Sequence, residues 1–436
     1  MPRFNRDAPA DTADALGTPS RRAALRLLDA VLRRGEPLEQ ALVAATRHVY
    51  GPDRGLAHAI AAEVLRRLPD LDALIDSVTE RPLPDDAKAR MALRIALVQA
   101  LVLGTPHHAA IATVLPLVEG GPRKLVHGVF GAITRSGVLL PEIPALPPRV
   151  EARWEGAWGA DMTDGARVAI AAPPPLDLTL ADPAETDQWV ATLGGISLMP
   201  GHVRVADAES VTDLPGFGEG RWWVQDIAAS IPARLLADRA PAAGAGTAID
   251  LCAAPGGKTL QLAAAGFTVA AVDVSSARIK RLRENLFRTR LKAEVIAADV
   301  LKWAPEAPAD ALLIDAPCSA TGIFRRHPDV LHRVHPAIIE EMALLQARLF
   351  ARAADWVKPG GTLVFATCSL EPQEGEAQLA RFLSDRTDYA IDAPDAALLP
   401  PGVTVHADGH VRTLPGMLAD AGGCDGFFIA RLRRES

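Results

Sequence analysis

Four cysteines in 436 residues, at 252, 318, 368 and 424, are too few and too scattered for a disulfide framework. They fit a reducing cytoplasm, where a thiol is free to act as a catalyst. Long apolar runs are missing too. The most apolar-leaning stretch, Leu260 to Val272, is short and is interrupted by Gln261 and Gly266, so no membrane span is expected. The first 20 residues have Pro, Ala and Asp but no apolar core, which predicts a disordered tail rather than a secretory signal. There is no internal repeat. Positive charge is not in excess: the net charge of -7 gives the whole molecule no nucleic-acid signature, and composition alone favours an acidic enzyme acting on small molecules. What is abundant is apolar residues, 49%, enough for two or three domains with their own cores.

From about Arg21 to Arg135 the apolar residues recur at helical spacing: Ala24, Leu27, Leu28, Val31 and Leu32, then Ile60, Val64, Leu65 and Leu68, then Met91 to Leu101. Prolines 69, 82, 84 and 106 punctuate these segments, and strand-like alternation is lacking, so this region is expected to be all-α. The proline-dense run from Pro141 to Pro148 predicts a linker. A small mixed α/β segment is expected to follow, to about Gly220. Beyond it, Thr247–Leu251, Thr268–Val272, Ala293–Ala297, Asp310–Ile314 and Gly361–Ala366 are short apolar runs separated by helical stretches, the pattern of a doubly wound, mostly parallel α/β sheet of Rossmann type. Val403–Val405 and Phe427–Ala430 are expected to add an antiparallel pair. The expected divisions are thus a tail, 1–18; an all-α domain, 19–140; a linker with a small α/β subdomain, 141–220; and a catalytic domain, 221–436.

Cys252, Ala253, Ala254, Pro255, Gly256, Gly257 and Lys258 turn from a strand into a helix, whose N-terminus offers free N–H groups. A phosphate loop would need glycine five residues before Gly257, where Cys252 stands, so an ATP-driven enzyme is excluded; the dinucleotide pattern G-x-G-x-x-G is absent as well. An adenosine-type site remains. Asp250, Asp273, Asp299 and Asp315 each fall at the carboxyl end of a successive strand, where such sheets bind ligands; for any one of them the plainer role is to cap the next helix. Asp273 is placed to take both ribose hydroxyls. Cys318, in Asp315-Ala316-Pro317-Cys318-Ser319, follows the fourth of these strands and Cys368, in Ala366-Thr367-Cys368-Ser369, the next one, so both are expected on the same side. Cys252 and Cys424 read as small packing residues. A thiolate adding to carbon 6 of cytosine makes carbon 5 nucleophilic enough to accept a methyl group. A free thiol has a pKa of roughly 8.5, so the site must favour the thiolate. Which cysteine attacks is open at this level, because DNA cytosine methyltransferases use the Pro-Cys cysteine.

Together these three motifs, in this order, resemble the RNA cytosine-C5 methyltransferases of the Sun type. Val224-Gln225-Asp226, Arg325-Arg326-His327-Pro328-Asp329 and Asp425-Gly426-Phe427-Phe428 extend the match. Asp53-Arg54-Gly55-Leu56-Ala57, Arg81-Pro82-Leu83 and Thr105-Pro106-His107-His108-Ala109 resemble the NusB-like RNA-binding domain that is fused to bacterial enzymes modifying small-subunit ribosomal RNA. The resemblance implies S-adenosylmethionine as cofactor, held by residues 252–258, Asp273, Asp299 and Asp315. It implies Cys368 as the nucleophile and Cys318 as an aid to product release, with 16S ribosomal RNA as substrate of a monomeric cytoplasmic enzyme. The chain departs from the family at Thr179, Ala181, Leu331, His332 and His127, which bears on the target nucleotide. Basic residues gather between Ser275 and Lys292, seven against one acidic, and could face phosphate or merely solvent. Arg325 and Arg326, just beyond Cys318, are expected to touch RNA. His327, His332 and His335 read as polar loop residues, since no cysteine or carboxylate partners them at zinc spacing, so no metal is expected. The readings from other classes are a non-catalytic RNA-binding assembly factor on the same fold and a methyltransferase acting on another RNA such as tRNA.

Overall fold

The helix Thr18–Arg34 begins the described part of the computed structural model, which covers residues 17–206, 210–240 and 246–435. The expected tail lies outside it except for Gly17 and Thr18, and Thr18 already belongs to the helix. The chain forms two compact units. One comprises residues 1–147 with 327–333; the other comprises 148–326 with 334–436.

The first unit is all-α. Ala24, Leu27, Leu28 and Val31 line the buried face of Thr18–Arg34, and Gly35, with φ of 68°, ends it by donating to Val31 O. The helix Lys88–Leu101 is buried from Ala89 to Gln99 without a break, so it is the central rod. Its two interior cations are paired: Arg94 makes a two-pronged contact with Asp72, and Arg90 with Asp76. The short helix Val330–Arg333 also belongs to this unit. Asp329 accepts from the Leu38 N–H at 3.4 Å and His332 Nε2 donates to Leu65 O at 2.7 Å. Burial pushes the His332 imidazole down to about 4.

A pH effect follows from that imidazole. The unfolded chain binds a proton at His332 near pH 6.5, and the folded unit resists it until about 4. Stability from this group is therefore complete above pH 6.5 and falls as pH drops toward 4, by about 3 kcal/mol at most. Thermal melts of the wild type and His332→Gln between pH 7.5 and 4.5 test it. Equal slopes in the two proteins would remove His332 from the account.

The second unit opens with Pro148–Trp158, where proline in the first turn loses no hydrogen bond, and Ala160–Ile170. Trp154 Nε1 and Arg153 Nε both donate to Glu371, which ties this stretch to the later part of the same unit. Strands β1 (Leu176–Leu180), β2 (His202–Val205) and β3 (Trp222–Val224) form an antiparallel sheet with β1 central.

The large sheet contains β4 (Thr247–Leu251), β5 (Thr268–Asp273), β6 (Glu294–Ala297), β7 (Ala309–Asp315), β8 (Val357–Thr367), β9 (Tyr389–Ile391), β10 (Val411–Thr413) and β11 (Phe427–Arg434). Its order is β10-β11-β8-β7-β4-β5-β6, with β9 also on β11; β4 to β8 run parallel, and β9, β10 and β11 are antiparallel additions. One expectation fails here. The partner of β11 is β10, not Val403–Val405, which only bridges Val411 through Val405. A turn closed by His406 N–H to His410 O reverses the chain before the pairing segment begins. Strand order reverses between β4 and β7, the point on the carboxyl edge at which sheets of this kind bind ligands. Phe350, Phe365 and Phe382 stack behind it at 4.5 and 3.9 Å between ring centres.

Candidate functional site

At the end of β4 the chain leaves the sheet through Cys252, with φ of 60°, and turns at Gly256, with φ of 107°, into the helix Gly257–Ala264. A side chain at Gly256 would be strained by that φ and would press on Leu282, 3.0 Å from an added Cβ. Ala253 N–H donates to Val272 O, and Ala254 N–H donates to Asp273 Oδ2 at 3.0 Å, so β5 holds the loop from the side. The other oxygen of Asp273 accepts from Ser275 N–H at 2.8 Å. Asp273 therefore shapes the loop whether or not a ribose is bound.

The remaining carboxylates differ in their surroundings. Asp250 is fully buried beneath the loop and accepts from Thr259 Oγ1; burial pushes it up to about 7, and its Oδ1 has no partner. Asp315 lies 2.8 Å from Lys258 Nζ. Burial opposes the charge on Lys258, but Asp315, Cys368 and Asp250 outweigh it, and the ammonium is raised. Asp299 caps a turn by accepting from Leu301 N–H at 2.9 Å, the plainer of its two expected roles, and stays partly exposed. Burial, helped by Asp315 and Asp273, pushes the Cys252 thiol up to about 12. Cys424 is buried and likewise raised. Neither serves as a nucleophile at neutral pH.

Cys318 and Cys368 come together. The register of β7 on β8 sets Asp315 opposite Ala366, so both loops leave the sheet at the same height and the two sulfurs are 3.4 Å apart. The hydrogen bond to Cys368 is the largest influence raising the Cys318 thiol well above its ordinary value, with burial next. Contact with Cys368 and burial thus both disfavour a negative charge on Cys318, and either sulfur can donate to the other.

Glu374 was not singled out in the sequence. It is wholly buried, and it accepts from Ser319 N–H at 2.8 Å, Ser369 Oγ at 3.0 Å and Gln346 Nε2 at 2.9 Å. Each cysteine's following serine is bound to this one carboxylate, and Ser319 and Ser369 also touch each other at 3.2 Å. Nothing in the local pattern sets Glu374 apart from Glu371 or Glu376; only the fold does.

Arg325 is not available as expected, while Arg326 stays partly exposed. Arg325 is 2% exposed and bonds Asp425, Asp226 and Gly422 O; Arg326 bonds Asp226 at 2.9 Å. Two arginines and two aspartates, all buried except the partly exposed Arg326, form one cluster joining the loop after β7, the start of the helix Ile227–Ala237 and the chain before β11. Of the family departures, Thr179 and Leu331 are buried, Ala181 and His332 are partly buried, and only His127 is exposed. His406, Asp408 and His410 form a group with ligand atoms within 4.8 Å, overlooked in the sequence, but the imidazoles stack face to face, 4.4 Å apart.

Residues 240–433 match the family described as 16S rRNA methyltransferase RsmB/F, and residues 18–134 match the NusB family. A relative named ribosomal RNA small subunit methyltransferase B, from Xanthomonas campestris pv. campestris, is 36% identical and aligns over 98% of this chain and 99% of its own. Its namesake from Cronobacter sakazakii is 33% identical over 95% and 98%. Among solved structures, that of PH0851 shares the fold with a TM-score of 0.73 at 22% identity, covering 97% of this chain and 99% of that one. That of NSun6 from Pyrococcus horikoshii with SFG has a TM-score of 0.54 at 17% identity, covering 66% and 98%. With near-complete alignment at more than a third identity, on a sheet whose two cysteine loops meet beside a glycine turn, the chain belongs to the 16S rRNA methyltransferase RsmB/F family.

Proposed function

We propose that this protein transfers a methyl group from S-adenosylmethionine to carbon 5 of a cytosine in small-subunit ribosomal RNA. The observation that carries the reading is the pair of sulfurs, 3.4 Å apart, at the strand ends beside the glycine turn. The residues present suit the cofactor. Asp250 Oδ1 is an unpartnered buried acceptor, and the loop combines acceptors, a cation and the free amides of a helix N-terminus. Residues 252–258 with Asp273, Asp299 and Asp315 would hold it. When bound, it supplies a methyl group on a positively charged sulfur.

Cys368 adds to carbon 6 of the cytosine, forming a sulfur–carbon bond and moving an electron pair onto carbon 5, which then takes the methyl group. The Cys318 S–H steadies the attacking sulfur. Once that sulfur is bonded to carbon, Cys318 releases its own proton to solvent and, as a thiolate, takes the proton from carbon 5. Loss of that proton expels Cys368 and restores the ring. The four free cysteines suit a reducing compartment such as the cytoplasm.

The test is transfer of labelled methyl groups to small-subunit RNA, free or partly assembled, with bisulfite mapping of the product and calorimetry of cofactor binding. The wild type should modify a cytosine. Asp273→Ala should bind S-adenosylmethionine about 2–3 kcal/mol more weakly while remaining folded. RNA bound tightly but never methylated would point instead to an assembly factor.

A further inference from the structure

The helix Ser276–Thr289, which returns from the carboxyl edge after β5, sorts its basic residues into two sets. Arg278 donates to Ala254 O, and Arg288 donates to Phe217 O and Trp222 O while lying 4.2 Å over the Phe217 ring. Those two are engaged within the fold. Arg281, Arg283, Arg290 and Lys292 are exposed with no bonding partner among the described residues, and Lys280 reaches only Glu284, at 3.9 Å. Among them stands Phe287, 88% exposed. It is not a displaced core residue, since Ile279, Leu282 and Leu286 form the buried stripe of this helix. Arg283 is four residues before the ring and shares its helical face, while Arg290, three residues after it, caps the end of the helix in the left-handed conformation, φ 58°.

An exposed aromatic ring between unpaired guanidinium groups suits a nucleic-acid strand with unstacked bases: the ring stacks on a base and the cations take neighbouring phosphates. The chain's net charge of -7 means that affinity for a polyanion depends on such local surfaces. We propose that Phe287, flanked by Arg283 and Arg290, is a docking surface for a single-stranded part of the RNA substrate, with one base stacked on the ring. This rests on the RNA methyltransferase reading above.

Fluorescence anisotropy with transcribed small-subunit RNA, repeated over a salt series, tests the proposal in the full-length protein. Arg283→Glu combined with Arg290→Glu should weaken binding at least tenfold and lower the slope of log affinity against log salt by about 1.4. Phe287→Leu should weaken binding about fivefold or more, and Phe287→Trp should restore it. S-adenosylmethionine affinity should not change in any of them, which shows that the fold is kept. A wild type that binds and methylates RNA, with variants that match it in affinity and slope, would overturn the docking surface alone. A wild type that neither binds nor methylates RNA would overturn the parent reading and this one with it. Variants that bind naked RNA normally but fail on partly assembled subunits would assign the face to a ribosomal protein, which also overturns the proposal.

Discussion

Cys318→Ala, incubated with RNA and S-adenosylmethionine and run on a denaturing gel, is expected to stay covalently attached to the RNA. Cys368→Ala is expected to form no adduct and to lose methyl transfer by several orders of magnitude, since the covalent route is then closed. The two results are linked by geometry. The sulfurs are in contact, so each can act on the same base, and the proposed roles give the attack to Cys368 and the later step to Cys318. Removing Cys318 leaves the attack possible and the release slow. The double variant should show no band, because the adduct needs Cys368. A shifted band from Cys368→Ala with none from Cys318→Ala would exchange the roles. Methylation surviving in both single variants would end the covalent scheme.

Arg325→Ala should unfold the catalytic unit more readily, not merely loosen RNA. The guanidinium is buried against Asp226, Asp425 and Gly422 O. Burial, with the neighbouring Asp226, already pushes Asp425 up to about 7, and removing Arg325 leaves two buried carboxylates with Arg326 as the cation still bonded to both. Breaking a buried pair from one side costs about 3–5 kcal/mol. In a domain of this size that lowers the melting temperature by on the order of 10 °C. Lysine cannot replace the planar fork, so Arg325→Lys should recover only part of the loss. Calorimetric melting at low and high salt measures it. A variant that melts with the wild type and loses only RNA affinity would return Arg325 to the RNA surface.

The parallel strands and the glycine turn were legible in the sequence because each is short-range: five apolar residues between polar breaks, or a glycine pair before a lysine. The meeting of Cys318 and Cys368 could also be anticipated, since the carboxyl ends of neighbouring parallel strands share one edge. What escaped depended on distant partners. Arg325 and Arg326 look like solvent-seeking cations until Asp226 and Asp425 arrive from about a hundred residues away on either side. Glu374 is one acidic residue among several in its stretch, and only the loop after β7 reveals its use. The final antiparallel pair was misplaced because Val403, Val405 and Val411 are equally strand-like, and the turn at His406–His410 decides among them.

The assignment of residues 327–333 to the helical unit bears on how this protein can be taken apart. Its two units are not beads joined by one string, because the chain leaves the second, contributes a short piece to the first and goes back. Val330 and Leu331 are buried there, and Asp329 and His332 supply polar contacts that residues 1–147 lack by themselves. A gene fragment ending at residue 147 therefore encodes a helical body with a missing plug. The complementary fragment carries that plug as a greasy loop with nothing to cover it. Such a chain favours inheritance of both units as a single piece, since neither half can be exchanged by a simple crossover in the proline linker without unmaking the other.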